Sequence, residues 1–427
     1  MSMSSNATFL NLNLSRLFAR LAFVFAVLAV CSLLVVIIVS RFVIGTLADE
    51  RLAVTRGMLE FPTQYFSGSA RLNARLAAAE LADAGADSSR ALLHAQRAVE
   101  LSPYDYRFRL ALASIQEANG DRQAAESSLE AARDLARQNW NVHYRLGNLL
   151  LREGKLDQSL GELRSAVAAN SNVLPGTLDL VWRASHEDVN AVRSIAESTS
   201  RTKLALAQFL LKNSHVAEAA DVFASIDRED RLASAADSSA FLNALIAAGN
   251  FNTAHQLWSE LTGAVQSTLV NNGGFESDIS KNFAQFDWSF SRTEYARFAL
   301  DTNVAHVGSR SLRIEFTGQD TTRLDNEVKQ LVAIRPGARY RLECYFKTNK
   351  LDTPEGPRVV VSDAASSWIA ASEPIPAGSN DWRLLTVDFT SPSTSAVIVS
   401  IKRKPKFSYD EPTSGTVWFD DFSIKEQ

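Results

Sequence analysis

ALASIQEANGDRQAAESSLEAA, residues 111–132, and RLGNLLLREGKLDQSLGELRSA, residues 145–166, superpose with Gly120 on Gly154, an interval of 34 residues. Ser214 and Gly249 stand 35 apart further on. A small residue follows each of these four by five positions: Ala125, Ser159, Ala219 and Ala254. A large apolar residue follows by nine: Leu129, Leu163, Phe223 and Trp258. Leu112, Leu146, Leu206 and Phe241 precede by eight. A unit of this length holds a helix, a tight turn and a second helix. The small residue lets the two helices approach, and the large ones fill the space between successive pairs. A weaker unit has Ala91, Ala98 and Pro103 at matching places, and another turns near His186. The repeats cover residues 70–265, where Ala, Leu, Arg and Glu dominate.

Residues 268–427 change character and are rich in Val, Thr, Ser, Phe, Trp and Pro, a shift from helix formers to strand formers. Tyr340, Leu342, Cys344 and Phe346 share one face of a strand, as do Leu385, Val387 and Phe389, and Val397, Val399 and Ile401. In GTVWFDDFSI, strict alternation puts Val417 and Phe419 on one side and Trp418, Phe422 and Ile424 on the other. Turn clusters such as TPEGP (353–357) and EPTSG (411–415) separate the runs. The pattern predicts an antiparallel β-sandwich of the jelly-roll kind.

At the other end, LAFVFAVLAVCSLLVVIIV, residues 21–39, carries no charge. As a helix it is about 28 Å long, enough to cross a bilayer core. It exceeds the apolar core of a cleaved leader and ends in bulky residues, which favours an uncleaved anchor over a signal peptide. Arg16, Arg20 and Arg41 flank it almost evenly, so charge does not set its orientation. The expected layout is a tail at 1–20, a transmembrane helix at 21–44, a juxtamembrane helix or linker at 45–69, helical repeats at 70–265 and the sandwich at 268–427.

The helical half resembles tetratricopeptide repeat proteins, and the Leu146-Gly147 pair matches that family's pattern. Arg109 and His143 stand where the family has tryptophan, and the middle unit is short. The resemblance implies a concave groove that grips a protein partner. Its facing positions would hold Arg107, Asn141, Tyr144, Asn148, Gln208 and Asn243, where asparagine can both donate to and accept from a peptide. The alternative is that these are ordinary solvated side chains. Trp140, Trp182 and Trp258 read as core residues.

LVNNGGFE, FDWSFSR, SLRIEF, IRPGARYRLECYFKT, WRLLTVDFTSP and VWFDDFSI follow in the order seen in carbohydrate-binding modules of the jelly-roll type, within the galactose-binding-like fold. That resemblance implies a structural calcium held by Glu276 and either Asp420 or Asp421. Adjacent strand residues point oppositely, so only one aspartate is expected to ligate. It also implies a sugar surface, with Trp368, Tyr345, Phe407 and Tyr409 as stacking candidates and Trp288 and Trp382 as structural. Lys402, Arg403, Lys404 and Lys406 read as a basic turn: a solvated strand end, or a contact for an acidic glycan or lipid headgroups.

A net charge of −4 gives no basic field for nucleic acid. Cys31 and Cys344 form no disulfide framework, and the six histidines show no metal-ligand spacing. No phosphate loop, nucleophile elbow, HExxH or GxGxxG is present. A non-enzyme without catalytic cofactor is expected. The favoured reading is a single-pass protein of the bacterial cytoplasmic membrane with its bulk outside the cytoplasm. It would be a scaffold for envelope or exopolysaccharide assembly or export, binding protein through the repeats and glycan through the sandwich. One alternative is a purely protein-binding envelope assembly factor. A third, less favoured, is a hydrolase with an unrecognised carboxylate pair, which would need two carboxylates about 5–9 Å apart across a cleft.

Overall fold

The computed structural model describes residues 17–47, 55–65, 67–82, 88–196, 198–264, 269–319, 323–364, 367–407 and 412–427. The chain divides into two units, residues 1–173 and 174–427. The first holds α1 (Leu17–Leu47), α2 (Arg56–Tyr65), α3 (Ala70–Ala82), α4 (Ser88–Leu101), α5 (Tyr106–Ala118), α6 (Arg122–Leu135), α7 (Trp140–Arg152) and α8 (Leu156–Ala169). The 31-residue α1 extends beyond both ends of the span expected from hydropathy, taking in 17–20 before it and 45–47 after it. By length and composition it can cross a membrane.

Helices α5 to α8 form two antiparallel pairs set by turn chemistry. Asp105, Asp121 and Asn139 accept hydrogen bonds from backbone amides in the first turns of α5, α6 and α7. Gly120 and Gly154 adopt positive φ of 81° and 75° where the chain reverses. Gly147 shows why the second helix needs small partners. A Cβ there would meet Leu163 Cγ at 2.7 Å, and Ser159 Oγ donates to the Gly147 carbonyl at 2.8 Å. Ala125, Leu129, Leu146, Leu149 and Leu150 fill the space between the pairs. Ala91 and Ala95 of α4 pack on Ala77, the weaker unit of the sequence. Trp140 departs from expectation: it is 38% exposed at the first residue of α7, on the turn of helix outside the packed stripe.

The second unit begins with α9 (Leu174–Ala184), α10 (Val189–Ala196), α11 (Ser200–Lys212), α12 (Val216–Ala224), α13 (Arg228–Ala233), α14 (Ala235–Ala247) and α15 (Phe251–Thr262). His186 and Glu187 take positive φ at the α9–α10 turn. Thr199 and Thr202 make a reciprocal capping box on α11. Ser214 occupies the left-handed region, φ 68°, where the sister turns have glycine.

The strands are β1 (Ser289–Phe290), β2 (Ala296–Asp301), β3 (Ser311–Thr317), β4 (Leu324–Ala333), β5 (Arg339–Asp352), β6 (Arg358–Asp363), β7 (Trp368–Ala371), β8 (Gly378–Thr390), β9 (Ala396–Arg403) and β10 (Ser414–Glu426). They make two five-stranded antiparallel sheets, ordered β1-β4-β9-β6-β7 and β2-β3-β10-β5-β8. The three apolar triplets and quartets read from alternation all face the core between the sheets. Burial raises the Cys344 thiol pKa, so it acts there as a small apolar side chain.

Strand β10 breaks the alternation. Its register against β5 shifts between Asp420 and Ser423, and Asp421 takes φ 52°. This bulge returns Phe422 and Ile424 to the face of Val417 and Phe419, in the core, and leaves Trp418 alone on the other side. Trp418 is still covered, its Nε1 donating to Asp301 Oδ2 at 2.9 Å.

Candidate functional site

The opening segment at 271–276 lies beside the bulge but is not a strand. Phe422 N donates to Gly273 O at 2.9 Å, and Trp288 Nε1 donates to Asn272 O at 3.2 Å. Phe275, Trp288 and Phe422 form one aromatic cluster, with Trp288 fully buried as expected of a structural residue. The bulge overturns the rule that neighbouring aspartates diverge. Asp421 Oδ1 and Asp420 Oδ1 lie 3.6 and 3.8 Å from where a Cβ on Gly274 would sit. Both carboxylates therefore line one small cradle beside Gly274, each at ordinary contact distance from a Cβ placed there. Burial pushes the Asp420 carboxyl up to about 6, against hydrogen bonds from the His306 and Asp421 amides. His306 Nδ1 sits 2.6 Å from Asp421 Oδ2.

Glu276 does another job. Its carboxylate accepts from Ser309 N, Ser309 Oγ and Arg310 N at 2.7–2.9 Å, which holds its pKa below the usual range. It ties the 308–310 loop down, where a Cβ on Gly308 would collide with it. The Asp420–Asp421 half of the expected calcium set converges; Glu276 is turned to that loop. Among the described residues no group of three or more His, Cys, Asp or Glu could hold a metal ion.

The aromatic candidates separate. Trp368 opens β7 in the first sheet, and Tyr345 lies on β5 in the second. Tyr345 stacks on the His306 ring at 3.7 Å, with Trp382 edge-on to the same ring at 5.5 Å. Phe407 is 47% exposed beyond β9. Tyr409 lies outside the described residues. Trp368 and Tyr345 therefore stand on strands of different sheets.

Trp368 has the most developed surroundings. It is 51% exposed and walls a cavity of about 460 Å³ shared with Glu355, Gly356, Arg358, Lys402, Lys404 and Lys406. Lys402 and Lys404 Nζ lie 5.9 and 6.0 Å from the ring centroid. Neither Lys402 nor Arg403 is at a solvated strand end: both are on β9 and buried. Lys402 and Lys404 each reach Asp325 Oδ1, at 3.1 and 3.2 Å, and the lysines hold that carboxyl's pKa down despite its partial burial. Arg358 donates to Glu355 Oε1 at 2.6 Å and to Ser372 O at 3.3 Å. Arg358, Glu355 and Asp325 were not legible as site residues. Only their nearness to the turn at 353–357, or to β9 through sheet pairing, brings them in.

In the repeats, Arg107 pairs with its own cap, Asp105, at 2.6 Å. Asn141 and Tyr144 are half-buried on α7, and Asn148 Nδ2 donates to the Tyr144 carbonyl at 2.9 Å. Gln208 is exposed on α11. Asn243 does not present a bare groove position: Gln285 Nε2 donates to its Oδ1 at 3.2 Å and to Ser239 Oγ at 2.7 Å. The segment before β1 is laid on the last helical pair. Trp258 Nε1 donates to Phe283 O at 2.8 Å, and Phe286 packs edge-on to His255 at 5.0 Å.

No family model matches the chain, and no curated protein matches it. Solved structures do. A MamA protein is 15% identical, over 37% of this chain and 83% of that one, with a TM-score of 0.31. A structure described as CBM4 is 19% identical, over 37% and 99%, with a TM-score of 0.28. The Yersinia enterocolitica type III secretion chaperone SycD, solved with a peptide of the translocator YopD, is 22% identical over 29% and 88%, with a TM-score of 0.24. Each is a partial likeness that spans less than half of this chain.

Proposed function

We propose that the chain is a membrane-anchored, non-catalytic scaffold: the helical repeats hold a protein partner, and the sandwich contacts glycan during assembly or export of an envelope polysaccharide. The folded part lies outside the cytoplasm in this reading. The observation that carries it is Trp368, a half-exposed indole on the wall of a cavity lined by polar groups. A flat ring stacks on the C–H face of a sugar while polar neighbours read its hydroxyls. The helical half supplies repeat pairs of the kind that grip extended segments, with Asn141 and Tyr144 on α7 as the positions to test.

The test is affinity electrophoresis of the detergent-solubilised full chain through gels containing a panel of polysaccharides. Retardation by at least one polymer, lost on Trp368→Ala, is expected. Unchanged mobility across a broad panel removes the glycan half and leaves a protein-binding assembly factor.

A calcium ion in the Asp420–Asp421 cradle would take the two carboxylates as hard oxygen ligands, without Glu276, which is turned to the 308–310 loop. Bound there, it would lock the opening segment to β10. A melting temperature unmoved by millimolar calcium or by chelator would discard it.

A further inference from the structure

We propose that the Trp368 cavity takes an acidic sugar, a uronate-type residue whose ring lies on the indole and whose carboxylate meets the Lys402–Lys404 ammonium pair. This rests on the glycan reading above and narrows it to a chemical class.

Charge makes the first argument. Among the described residues, Arg358, Lys402, Lys404 and Lys406 line the cavity with one carboxylate, Glu355, while Asp325 accepts from Lys402 and Lys404. The described lining is therefore richer in cations than in carboxylates, in a protein whose net charge is −4. A local field opposed to the global one draws an anion to this place rather than to the surface at large.

Order makes the second. Lys402 is only 5% exposed and held by Asp325 Oδ1 at 3.1 Å and Asn326 Oδ1 at 3.4 Å. Arg358 is pinned by Glu355 and Ser372. The loop at Gly356 packs backbone on backbone, a Cβ there meeting the Ile375 carbonyl at 1.9 Å, and Ile375 N donates to Pro357 O at 2.9 Å. Cations already fixed lose little rotamer freedom when an anion arrives, which is what separates a binding site from a solvated lysine run.

Geometry makes the third. Both ammonium groups lie over the ring, 5.9 and 6.0 Å from its centroid. A pyranose stacked on the indole therefore presents its ring substituents toward them. Glu355 faces the same cavity and repels a carboxylate turned the other way, so the residue is oriented as well as held. An anionic lipid headgroup satisfies the charge without requiring the indole as a stacking face.

The experiment titrates the full chain, held in phosphatidylcholine nanodiscs, with polygalacturonate, alginate and neutral hydroxyethyl cellulose at low and high salt. Lys404, 43% exposed, is changed to Gln without disturbing the core, alongside Trp368→Ala. Expected is preferential binding of a uronate polymer. Lys404→Gln should weaken it about five- to tenfold, an exposed charge-assisted contact. Raised salt should also weaken it, and Trp368→Ala should weaken it at least as much. Binding of the neutral glucan alone, insensitive to salt and to Lys404→Gln, overturns the acidic assignment but leaves the glycan reading standing. Binding of no polysaccharide sinks both. Flotation with phosphatidylglycerol vesicles that depends on Lys404 but ignores Trp368→Ala assigns the patch to a lipid surface and also overturns the proposal.

Discussion

Gly273 and Gly274 are adjacent, yet alanine should be ruinous at one and harmless at the other. A Cβ on Gly273 would lie 2.0 Å from the Phe422 carbonyl oxygen and 3.0 Å from its carbon. These are backbone atoms on a strand paired to β5, so no rotamer change relieves the clash, and the opening segment must move by about 1 Å. That movement strains the packing of Phe275, Trp288 and Phe422, at about 1–3 kcal/mol for an overpacked core. It also loosens the Phe422 N–Gly273 O hydrogen bond, a further ~0.5–1.5 kcal/mol. Together Gly273→Ala should cost roughly 2–4 kcal/mol. In a unit of this size that is a fall in Tm of about 5–15 °C. On Gly274 the nearest atoms to a Cβ are at 3.6 and 3.8 Å, ordinary contacts, so Gly274→Ala should lie within about 0.5 kcal/mol of the parent. Thermal and urea unfolding followed by tryptophan emission reads both, since Trp288 stands in the affected cluster. Equal effects of the two substitutions, or a larger one at Gly274, would refute the close approach between the opening segment and β10.

Ser214→Gly should stabilise the second unit by about 1 kcal/mol, since the serine pays for a left-handed backbone that glycine adopts freely; an unchanged urea midpoint would count against that turn. Trp258→Ala removes a buried indole and its bond to Phe283 O, and should cost about 3–5 kcal/mol. For the same reason a fragment starting at 268 should melt well below one starting at 174, and equal melting curves would contradict the junction. Burial among Trp258 and Phe286 depresses the His255 pKa. The folded state therefore disfavours the imidazolium, and stability present above the unfolded value near 6.5 is lost as pH falls below it, by up to about 1.4 kcal/mol per unit. His255→Phe should flatten that slope, measured from pH 7.5 to 5.

The repeats are plain in the sequence because their signal is local and recurs: glycine or serine at the reversals, small residues at the crossings. The inward faces of β5, β8 and β9 are equally plain where alternation holds, through 340–346, 385–389 and 397–401. Alternation fails at β10, because this bulge turns on a positive-φ residue, a place glycine would mark in the sequence, and here it is Asp421. One irregular residue reverses Phe422 and Ile424 and brings together two aspartates that alternation sets apart. The Trp368 cavity is legible in residue types but not in grouping. Trp368 and the lysines of β9 are visible, whereas Arg358, Glu355 and Asp325 reach them only through the pairing of β6 and β4 with β9. Tyr345 falls in with Trp368 on residue type alone, because sequence carries no sign of which sheet a strand joins.

The way α15 ends limits how this protein could grow. Stacked helical pairs ordinarily finish with a polar terminal repeat that shields the last apolar face from water. Here Phe286, Gln285 and the Phe283 carbonyl cover it instead, drawn from the sandwich's own leading segment. An extra pair inserted after Thr262 would have to rebuild that seal, while duplication further upstream leaves it intact. Lineages of such chains should therefore vary in repeat number ahead of Trp258 and keep the final pair fused to the sandwich.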